Sequence, residues 1–309
     1  MKEIKIAFTG LDNAGKTSFL IALRRKYNFY ELVKELLPTK LIEFNSFNFL
    51  NLFAINIWDM GGQVKYRQLY VKNLVYFEET DFLYYIIDIQ DESKFEDSLA
   101  YLKKLLIIYN DMEYSHEVMV CFSKFDPNLK QDVEIITRRD RLKKLILEQN
   151  SHMRFKFFDT TYYDISSLSK AVSYSLSQLI NLNGVNSYIE DLGKSLESNY
   201  IILYDESGLI IADYYSEITD TRDFEQKIST KISEDLEFFQ SLVNEKVHFS
   251  ERTSFFNDQK EYVKKFEVKS ENGDNVFYLG LTTNKAEHFQ IKKEFEKFQE
   301  VLEKAFKQI

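Results

Sequence analysis

The segment 10-GLDNAGKTS-18 carries residues with the spacing needed to hold a nucleotide phosphate. It follows a strand-like run and opens a helical pattern, the context that G-x-x-x-x-G-K-[S/T] requires. Its backbone N–H groups can surround a β-phosphate at the positive end of a helix dipole. Lys16 would neutralise phosphate charge, and Thr17 would offer a hydroxyl to Mg²⁺. The predicted phosphate-binding residues are Asp12, Asn13, Ala14, Gly15, Lys16, Thr17 and Ser18.

A second phosphate element, 58-WDMGGQ-63, ends another predicted strand. Asp59 at that strand end is placed to hold Mg²⁺ through water. Two glycines let the backbone approach and swing toward a γ-phosphate, because glycine tolerates almost any backbone conformation. We predict that Gly62 meets the nucleotide and that Gln63 orients an attacking water, which makes Gln63 the catalytic candidate.

A site that senses a γ-phosphate needs a second hydroxyl for the metal. Thr39 is the only threonine between Thr17 and Thr80, and it follows Pro38 just before the second predicted strand. We therefore expect Thr39 to join Thr17 and Asp59 as a Mg²⁺ ligand. An ordinary loop threonine is the alternative.

The stretch 120-VCFSKFDPN-128 ends a strand-like run with Ser123, Lys124 and Asp126. A Lys-x-Asp sequence at the end of a buried strand indicates a loop that reads a purine base. The usual loop begins with Asn or Thr, so Ser123 departs from the pattern. Taken alone, the stretch also fits an ordinary strand end.

The elements that must position these residues alternate along the first half of the chain. Short apolar runs and helical patterns follow one another, which favours a mostly parallel sheet wrapped by helices. Six strands are predicted near residues 4–9, 41–45, 52–58, 82–89, 118–122 and 154–158, the second and third as a hairpin. Helices are predicted to begin at Lys16, Ser93, Asp132 and Ser166, with the Ser and Asp starts as caps.

The pattern changes after a predicted break at 181-NLNGVN-186. The order α-β-β-α-β-β-β-α follows, with a first helix over 187–197 and connections of the hairpin type. These connections imply an antiparallel sheet. The sequence therefore predicts two domains, at residues 1–183 and 186–309.

The composition of the chain bears on whether it binds nucleic acid or a membrane. The chain of 309 residues is 44% hydrophobic and 29% charged, as expected for a folded protein. Its net charge of −9 argues against nucleic-acid binding through a basic surface. A lone cysteine fits a reducing cytosol, and neither an apolar run of about 18 residues nor a lipid-anchor motif occurs. We expect a cytoplasmic protein without a direct membrane anchor, which partners can recruit to a membrane.

These motifs together resemble the Ras superfamily of small GTPases. GLDNAGKTS, Pro38-Thr39 and WDMGGQ look most like the Arf family, whereas 66-YRQLY-70 and 160-TTYYDISSLSKAVS-173 resemble the Rag (Gtr) GTPases. Rag proteins carry a C-terminal roadblock domain, and the second half has the element order of such a domain. The resemblance implies an α/β P-loop G domain, with helices on both faces of a mostly parallel six-stranded sheet. An α+β roadblock/longin-like domain would follow it.

The resemblance also implies a GTP/GDP switch that uses Mg²⁺. Lys124 would stack along the base, and Asp126 would accept both guanine N–H groups. Backbone amides around Thr160 and Thr161 would meet the guanine O6. Ser123 would brace the base loop against the phosphate loop.

We expect slow intrinsic hydrolysis. Asp12 lies where a side chain comes near the γ-phosphate, and no arginine is obviously placed to assist from within the chain. Arg67 is expected to make a structural or partner contact. A GTPase-activating protein would supply an arginine, and an exchange protein would release GDP.

We expect the C-terminal domain to assemble the protein as a homodimer or a heterodimer, because roadblock-like sheets join across a two-fold axis. A monomeric appendage is the alternative. Two other functions stay open: a slowly cycling or nucleotide-loaded scaffold, and an ATP-using P-loop enzyme such as a small kinase. Gln63 favours the hydrolysing switch over the scaffold, and the base loop favours guanine over adenine.

Overall fold

The computed structural model describes residues 1–25, 30–180, 182–216, 221–245, 249–256, 259–270, 273–283 and 288–307. The chain divides into two compact units. The N-terminal unit comprises residues 2–49 and 53–171, and the C-terminal unit comprises Met1, residues 50–52 and residues 172–309. The predicted domain limits, 1–183 and 186–309, stay predictions. They were drawn where the sequence pattern changes, whereas the two compact units are defined by spatial contacts. Asn181, part of the predicted break, lies outside the described residues.

A six-stranded sheet forms the centre of the N-terminal unit. Its order is β2-β3-β1-β4-β5-β6. Only β2 runs antiparallel, as the hairpin partner of β3, and the other neighbours are parallel. The strands are β1 Lys2–Gly10, β2 Ile42–Phe49, β3 Phe53–Met60, β4 Phe82–Asp88, β5 Val118–Ser123 and β6 Phe155–Asp159.

The helices of this part of the chain are α1 Lys16–Arg25, α2 Tyr30–Lys34, α3 Val64–Lys72, α4 Phe95–Asp111, α5 Val133–Gln149 and α6 Ile165–Ser177. Asp132 caps α5 as predicted, since its carboxylate accepts the N–H groups of Glu134 and Ile135. The predicted start at Ser93 is wrong. A short 3₁₀ turn occupies Glu92–Lys94 before α4, and the Ser93 hydroxyl donates to Asp91 instead.

Helices cover both faces of the sheet. Phe8 of β1 stacks on Tyr84 of β4 and contacts Phe19 of α1, so α1 covers that face. The next residue along β4, Tyr85, points to the opposite face, where it donates a hydrogen bond to the Ser98 carbonyl of α4. The predicted α/β architecture of the N-terminal unit is confirmed.

The carboxyl ends of the parallel strands place five loops along one edge of the sheet. These loops follow β1, β3, β4, β5 and β6. The antiparallel β2 has its amino-terminal end at this edge, because its first residue, Ile42, pairs with Met60 at the end of β3. Ligands of open α/β sheets bind at this edge, and the predicted phosphate and base elements all lie there.

The C-terminal unit has the predicted α-β-β-α-β-β-β-α order. Its five strands form an antiparallel sheet in the order β8-β7-β11-β10-β9. This architecture is consistent with a roadblock/longin-like domain. The elements are α7 Asn183–Ser195, β7 Ser198–Asp205, β8 Ile210–Tyr215, α8 Thr221–Glu245, β9 Glu251–Phe256, β10 Gln259–Val268, β11 Asn275–Thr283 and α9 His288–Lys307.

One predicted feature of this half is wrong. The stretch 183–186 is not a break but the first turn of α7, which begins four residues before the predicted start at Ser187. The glycine and asparagines there suggested a loop. Burial of Val185 and Ile189 outweighs this weak local preference for a loop.

The C-terminal sheet lies between helices. Phe239 of α8 stacks on Tyr278 of β11. The adjacent Phe277 faces the other way and contacts Phe306 of α9. Tyr188 of α7 stacks on Phe298 of α9, which completes that second layer.

Helix α8 buries a charged group against the sheet. Asp235 is fully buried, and its carboxylate accepts the Tyr204 hydroxyl at 3.1 Å and lies 3.0 Å from the Lys231 ammonium. Lys231 also reaches Glu261 of β10 at 3.2 Å. A buried charge is tolerated when it is paired and hydrogen-bonded, and this network meets both conditions.

Among the helices that the structure describes, none combines the length and apolarity needed to cross a membrane.

Candidate nucleotide-binding site

The phosphate loop connects β1 to α1 and has an unusual backbone. Asn13 and Gly15 lie in the left-handed region, with φ of 60° and 86°. Asn and Gly are the residues that adopt this region at little cost. Left-handed residues between right-handed ones turn successive N–H groups toward one point, which is the backbone of an anion-binding nest. The residue types at positions 13 and 15 therefore favour the backbone of such a cradle.

Lys16 is the first residue of α1, and its side chain extends back into the phosphate loop. Its side chain is buried, and its ammonium donates to the Leu11 carbonyl at 2.7 Å and the Gly10 carbonyl at 3.3 Å. Burial lowers the pKa of Lys16 to about 8, although the carboxylates of Asp59 and Asp12 act in the opposite direction. A phosphate in the loop would raise the pKa of Lys16 again, because a nearby negative charge favours the charged form.

Three oxygen-bearing side chains from distant segments converge beside Lys16. The hydroxyls of Thr17 and Thr39 lie 2.9 Å apart, and Thr17 donates to Asp59 Oδ2 at 2.5 Å. Asp59 is buried, which raises the pKa of its carboxyl. Within the described residues its Oδ1 has no hydrogen-bond partner.

This cluster fits a magnesium ion. Mg²⁺ prefers hard oxygen ligands, usually one or two carboxylates completed by substrate phosphates and water. The two hydroxyls and one carboxylate are such a set, and the unpartnered oxygen of Asp59 is a buried acceptor that a cation or its water would satisfy. Thr17, Thr39 and Asp59 would hold the ion.

The glycine pair after β3 packs tightly against neighbouring backbone. A Cβ on Gly62 would lie 2.3 Å from the Asp12 nitrogen, and one on Gly61 would lie 2.6 Å from the Thr39 carbonyl oxygen. Neither glycine has a left-handed φ. Glycine is therefore required at both positions because the phosphate loop and the Thr39 segment come so close. The backbone conformation of the two residues does not require glycine.

Gln63 and Arg67 follow this pair at the start of α3. Gln63 is the N-cap of α3, and its carbonyl accepts the N–H groups of Tyr66 and Arg67. The Arg67 guanidinium donates to the Gly62 carbonyl at 2.8 Å and lies over the Tyr101 ring. The structural contact expected of Arg67 is thus observed, and the role of Gln63 in orienting water stays a prediction.

Ser123 links the base loop to the phosphate loop. Its buried hydroxyl lies 2.6 Å from the Ala14 carbonyl, to which it donates, and 3.1 Å from the Ile87 carbonyl. The predicted brace is present. Serine reaches Ala14 with a single hydroxyl, whereas an asparagine amide would offer both donor and acceptor.

Lys124 and Asp126 are held by neighbours that the sequence did not single out. The Lys124 ammonium lies 2.6 Å from Asp88 Oδ2. Asp126 accepts from Gln90 at 3.1 Å and from the Thr161 hydroxyl at 2.6 Å. Lys124 also has a left-handed φ of 58°, a conformation that costs free energy and persists where the surroundings enforce it.

The Thr160 and Thr161 amides are engaged within the protein. Thr160 N–H donates to the Phe122 carbonyl at 2.9 Å, and Thr161 N–H donates to the Ser167 hydroxyl at 3.1 Å. What the structure shows for Thr161 is its hydroxyl contact with Asp126. A contact between these amides and a base stays a prediction.

Sequence reasoning missed the loop after β4. Its residues Asp88 and Gln90 hold the base loop, and Lys94 donates to the Asp12 carbonyl at 3.2 Å. The position of this loop at the carboxyl end of a central parallel strand is the signal that could have indicated it. No short motif marks these residues, so their partners emerge only from the fold.

The fold and site define a class of protein. A strand–loop–helix phosphate cradle, an oxygen cluster and a carboxylate-bearing base loop lie on one edge of a mostly parallel sheet. This is the arrangement of a small GTPase.

The family follows from comparison with known proteins. The Gtr1/RagA G protein conserved region matches residues 5–236, so the chain belongs to this family. The match continues past the N-terminal unit through β8 into α8. The predicted Rag- and Arf-like resemblance is confirmed, and membership implies GTP binding and hydrolysis in general.

Arf-like relatives are also similar. The ADP-ribosylation factor-like protein 2 of Dictyostelium discoideum is 31% identical over 181 residues, which cover 58% of this chain and 85% of that protein. A solved structure of the Arl6 (BBS3) small GTPase of Trypanosoma brucei, with the nucleotide analogue GppNp bound, has a TM-score of 0.46 and 16% identity. That similarity covers 57% of this chain and 97% of the solved one.

Replacing Ser123 with Asn tests the brace. We expect slower release of GDP, because an amide adds a second hydrogen-bonding atom between the base loop and Ala14. Stopped-flow release of a fluorescent GDP measures this rate. Ser115→Asn, at an exposed position before β5, is the control and should leave the rate unchanged. Unchanged or faster release from Ser123→Asn would contradict the assignment.

Proposed function

We propose that this protein is a magnesium-dependent GTP/GDP switch with slow intrinsic hydrolysis, and that its C-terminal unit mediates dimerisation or partner docking. The convergence of Thr17, Thr39 and Asp59 on one buried point carries the proposal. Thr39 and Asp59 belong to the two segments that would report the presence of a γ-phosphate. Both would hold the same ion as Thr17, so the presence or loss of a γ-phosphate beside it would reach both segments together.

The described side chains have separate roles in this proposal. Lys16 neutralises the phosphates from inside the loop, and Asp126 accepts the guanine N–H groups, held in place by Gln90 and Thr161. Magnesium, when bound, neutralises charge that develops on the phosphate oxygens. Gln63 follows Gly62 and orients the attacking water.

Slow hydrolysis is supported by the contacts of Arg67. Its guanidinium is engaged with the Gly62 carbonyl and the Tyr101 ring, so it is not directed at a transferring phosphoryl group. An arginine supplied by a GTPase-activating protein would accelerate hydrolysis, and an exchange protein would release GDP.

Dimerisation is supported by the edge of the C-terminal sheet. β9 is a terminal strand that pairs only with β10 in the described part of the sheet. An edge strand presents unpaired N–H and carbonyl groups to another chain. Phe255 of β9 is also 74% exposed. Either a second copy or a related chain can join this edge, in the cytoplasm or at a membrane to which partners bring it.

Nucleotide competition tests the base specificity. We expect GTP and GDP to displace a fluorescent guanine nucleotide, and ATP to require about 10³-fold or more higher concentration, because adenine lacks the adjacent ring N–H and amino donors of guanine that Asp126 would accept. Asp126→Ala should lose this preference. The control Asp111→Ala removes an exposed carboxylate from the end of α4 and should keep it. Equal competition by ATP in the unmodified protein would overturn the proposal.

A single-turnover assay tests the hydrolysis rate. With GTP and Mg²⁺ we expect a rate on the order of 10⁻⁴ to 10⁻³ s⁻¹ without a partner, as in switches that lack an assisting arginine. Gln63→Ala should hydrolyse more slowly still while binding GTP normally. Unaided hydrolysis near 1 s⁻¹ would rule out the slow-switch proposal.

Light scattering on the full chain tests assembly. We expect a dimer that Phe255→Glu converts to a monomer, because a charge at an exposed edge position opposes pairing. Phe289→Glu is the matched control, since Phe289 is 76% exposed on α9. If the unmodified chain is a monomer, dimerisation is refuted. If the Phe255→Glu variant is still a dimer, the β9 edge is not the dimer interface.

A further inference from the structure

Lys94 is a cation from outside the phosphate loop that contacts the loop directly. Its ammonium donates to the Asp12 backbone carbonyl at 3.2 Å and lies 3.6 Å from the Asp12 carboxylate. It also lies 3.8 Å from Asp91. Neither the phosphate motif nor the base loop includes Lys94.

The turn that carries Lys94 is anchored. Lys94 ends the 3₁₀ turn Glu92–Lys94, and its N–H donates to the Asp91 carbonyl at 3.1 Å. Glu92 of the same turn pairs with Arg138 of α5 at 3.2 Å. The turn that carries the Lys94 ammonium is therefore held both by its own backbone hydrogen bond and by an ion pair to α5.

Asp12 occupies the point where extra negative charge would be costly. Its backbone nitrogen packs against Gly62, in the segment expected to meet a γ-phosphate. A γ-phosphate would place its charge near the Asp12 carboxylate, whereas GDP has no group there.

We propose that Lys94 is a positioning residue that compensates and orients the Asp12 carboxylate, so that the loop accepts a γ-phosphate and the protein keeps its affinity for GTP relative to GDP. This inference rests on the proposed function, since it requires that both nucleotides bind. Like charges at short distance disfavour each other, and a fixed cation beside Asp12 reduces that repulsion only when the γ-phosphate is present.

The ratio of GTP to GDP affinity tests the inference. Calorimetry with a non-hydrolysable GTP analogue and with GDP, both with Mg²⁺, measures it on the full chain. For Lys94→Gln we expect analogue affinity to fall about three- to fivefold, as for a partly exposed ion pair, and GDP affinity to stay within about twofold. The loss should shrink as salt rises, because exposed charges are screened.

A double substitution separates compensation of Asp12 from other roles. In an Asp12→Asn background the repulsion is absent, so adding Lys94→Gln should change the affinity ratio by less than about twofold. Lys103→Gln is the matched control, because it removes an exposed lysine from α4, the helix that follows Lys94. It should leave both affinities unchanged.

The outcomes are distinct. An equal loss for both nucleotides would show that Lys94 only supports the loop backbone, and would overturn the inference. An effect of the same size in the Asp12→Asn background would overturn it too, because Lys94 would then act without Asp12. If the unmodified protein binds neither nucleotide, the proposed function fails instead.

Discussion

Two opposite charges buried at the carboxyl edge of the parallel sheet constrain the N-terminal unit. Lys16 and Asp59 are both almost fully buried and within electrostatic reach of each other. Burying charge is costly unless it is paired or bound to a ligand. The phosphate loop, the glycine pair and the Thr39 segment all pack so that these two charges face the space where a phosphate and a cation would sit. The unpartnered oxygen of Asp59 shows that the protein alone does not complete this arrangement.

The C-terminal unit handles buried charge differently. On α8, Asp235 is partnered by Lys231 and by Tyr204 of the sheet, and Lys231 is shared with Glu261. In that network each buried charge lies within 3.2 Å of an opposite charge on the protein's own side chains. Such a network supports a defined packing of helix on sheet, whereas the Lys16 and Asp59 pair is open toward a ligand. The contrast separates a structural use of buried charge from a binding use within one chain.

Much of the fold could be predicted because its signals are local. All six strands of the N-terminal sheet occur near their predicted positions, and the continuous apolar run of β4 is typical of a central parallel strand. The errors lie at boundaries. Ser93 suggested a cap that the 3₁₀ turn replaces, and the Asn- and Gly-containing stretch before Ser187 belongs to α7. In both places the local preference of single residues for a loop or a cap did not set the boundary of the helix.

The sequence by itself determined the phosphate loop, the Asp-x-Gly-Gly-Gln element and the Lys-x-Asp loop, because each is a short run whose chemistry depends on residues a few positions apart. Only the tertiary structure decided which of these meet. Thr17 reaches Thr39 and Asp59, Ser123 reaches Ala14, and Lys124 reaches Asp88. The parallel crossovers bring strand ends that are far apart in the chain to one edge of the sheet. Partners such as Lys94 and Gln90 carry no motif, so their proximity to the site depends wholly on that topology.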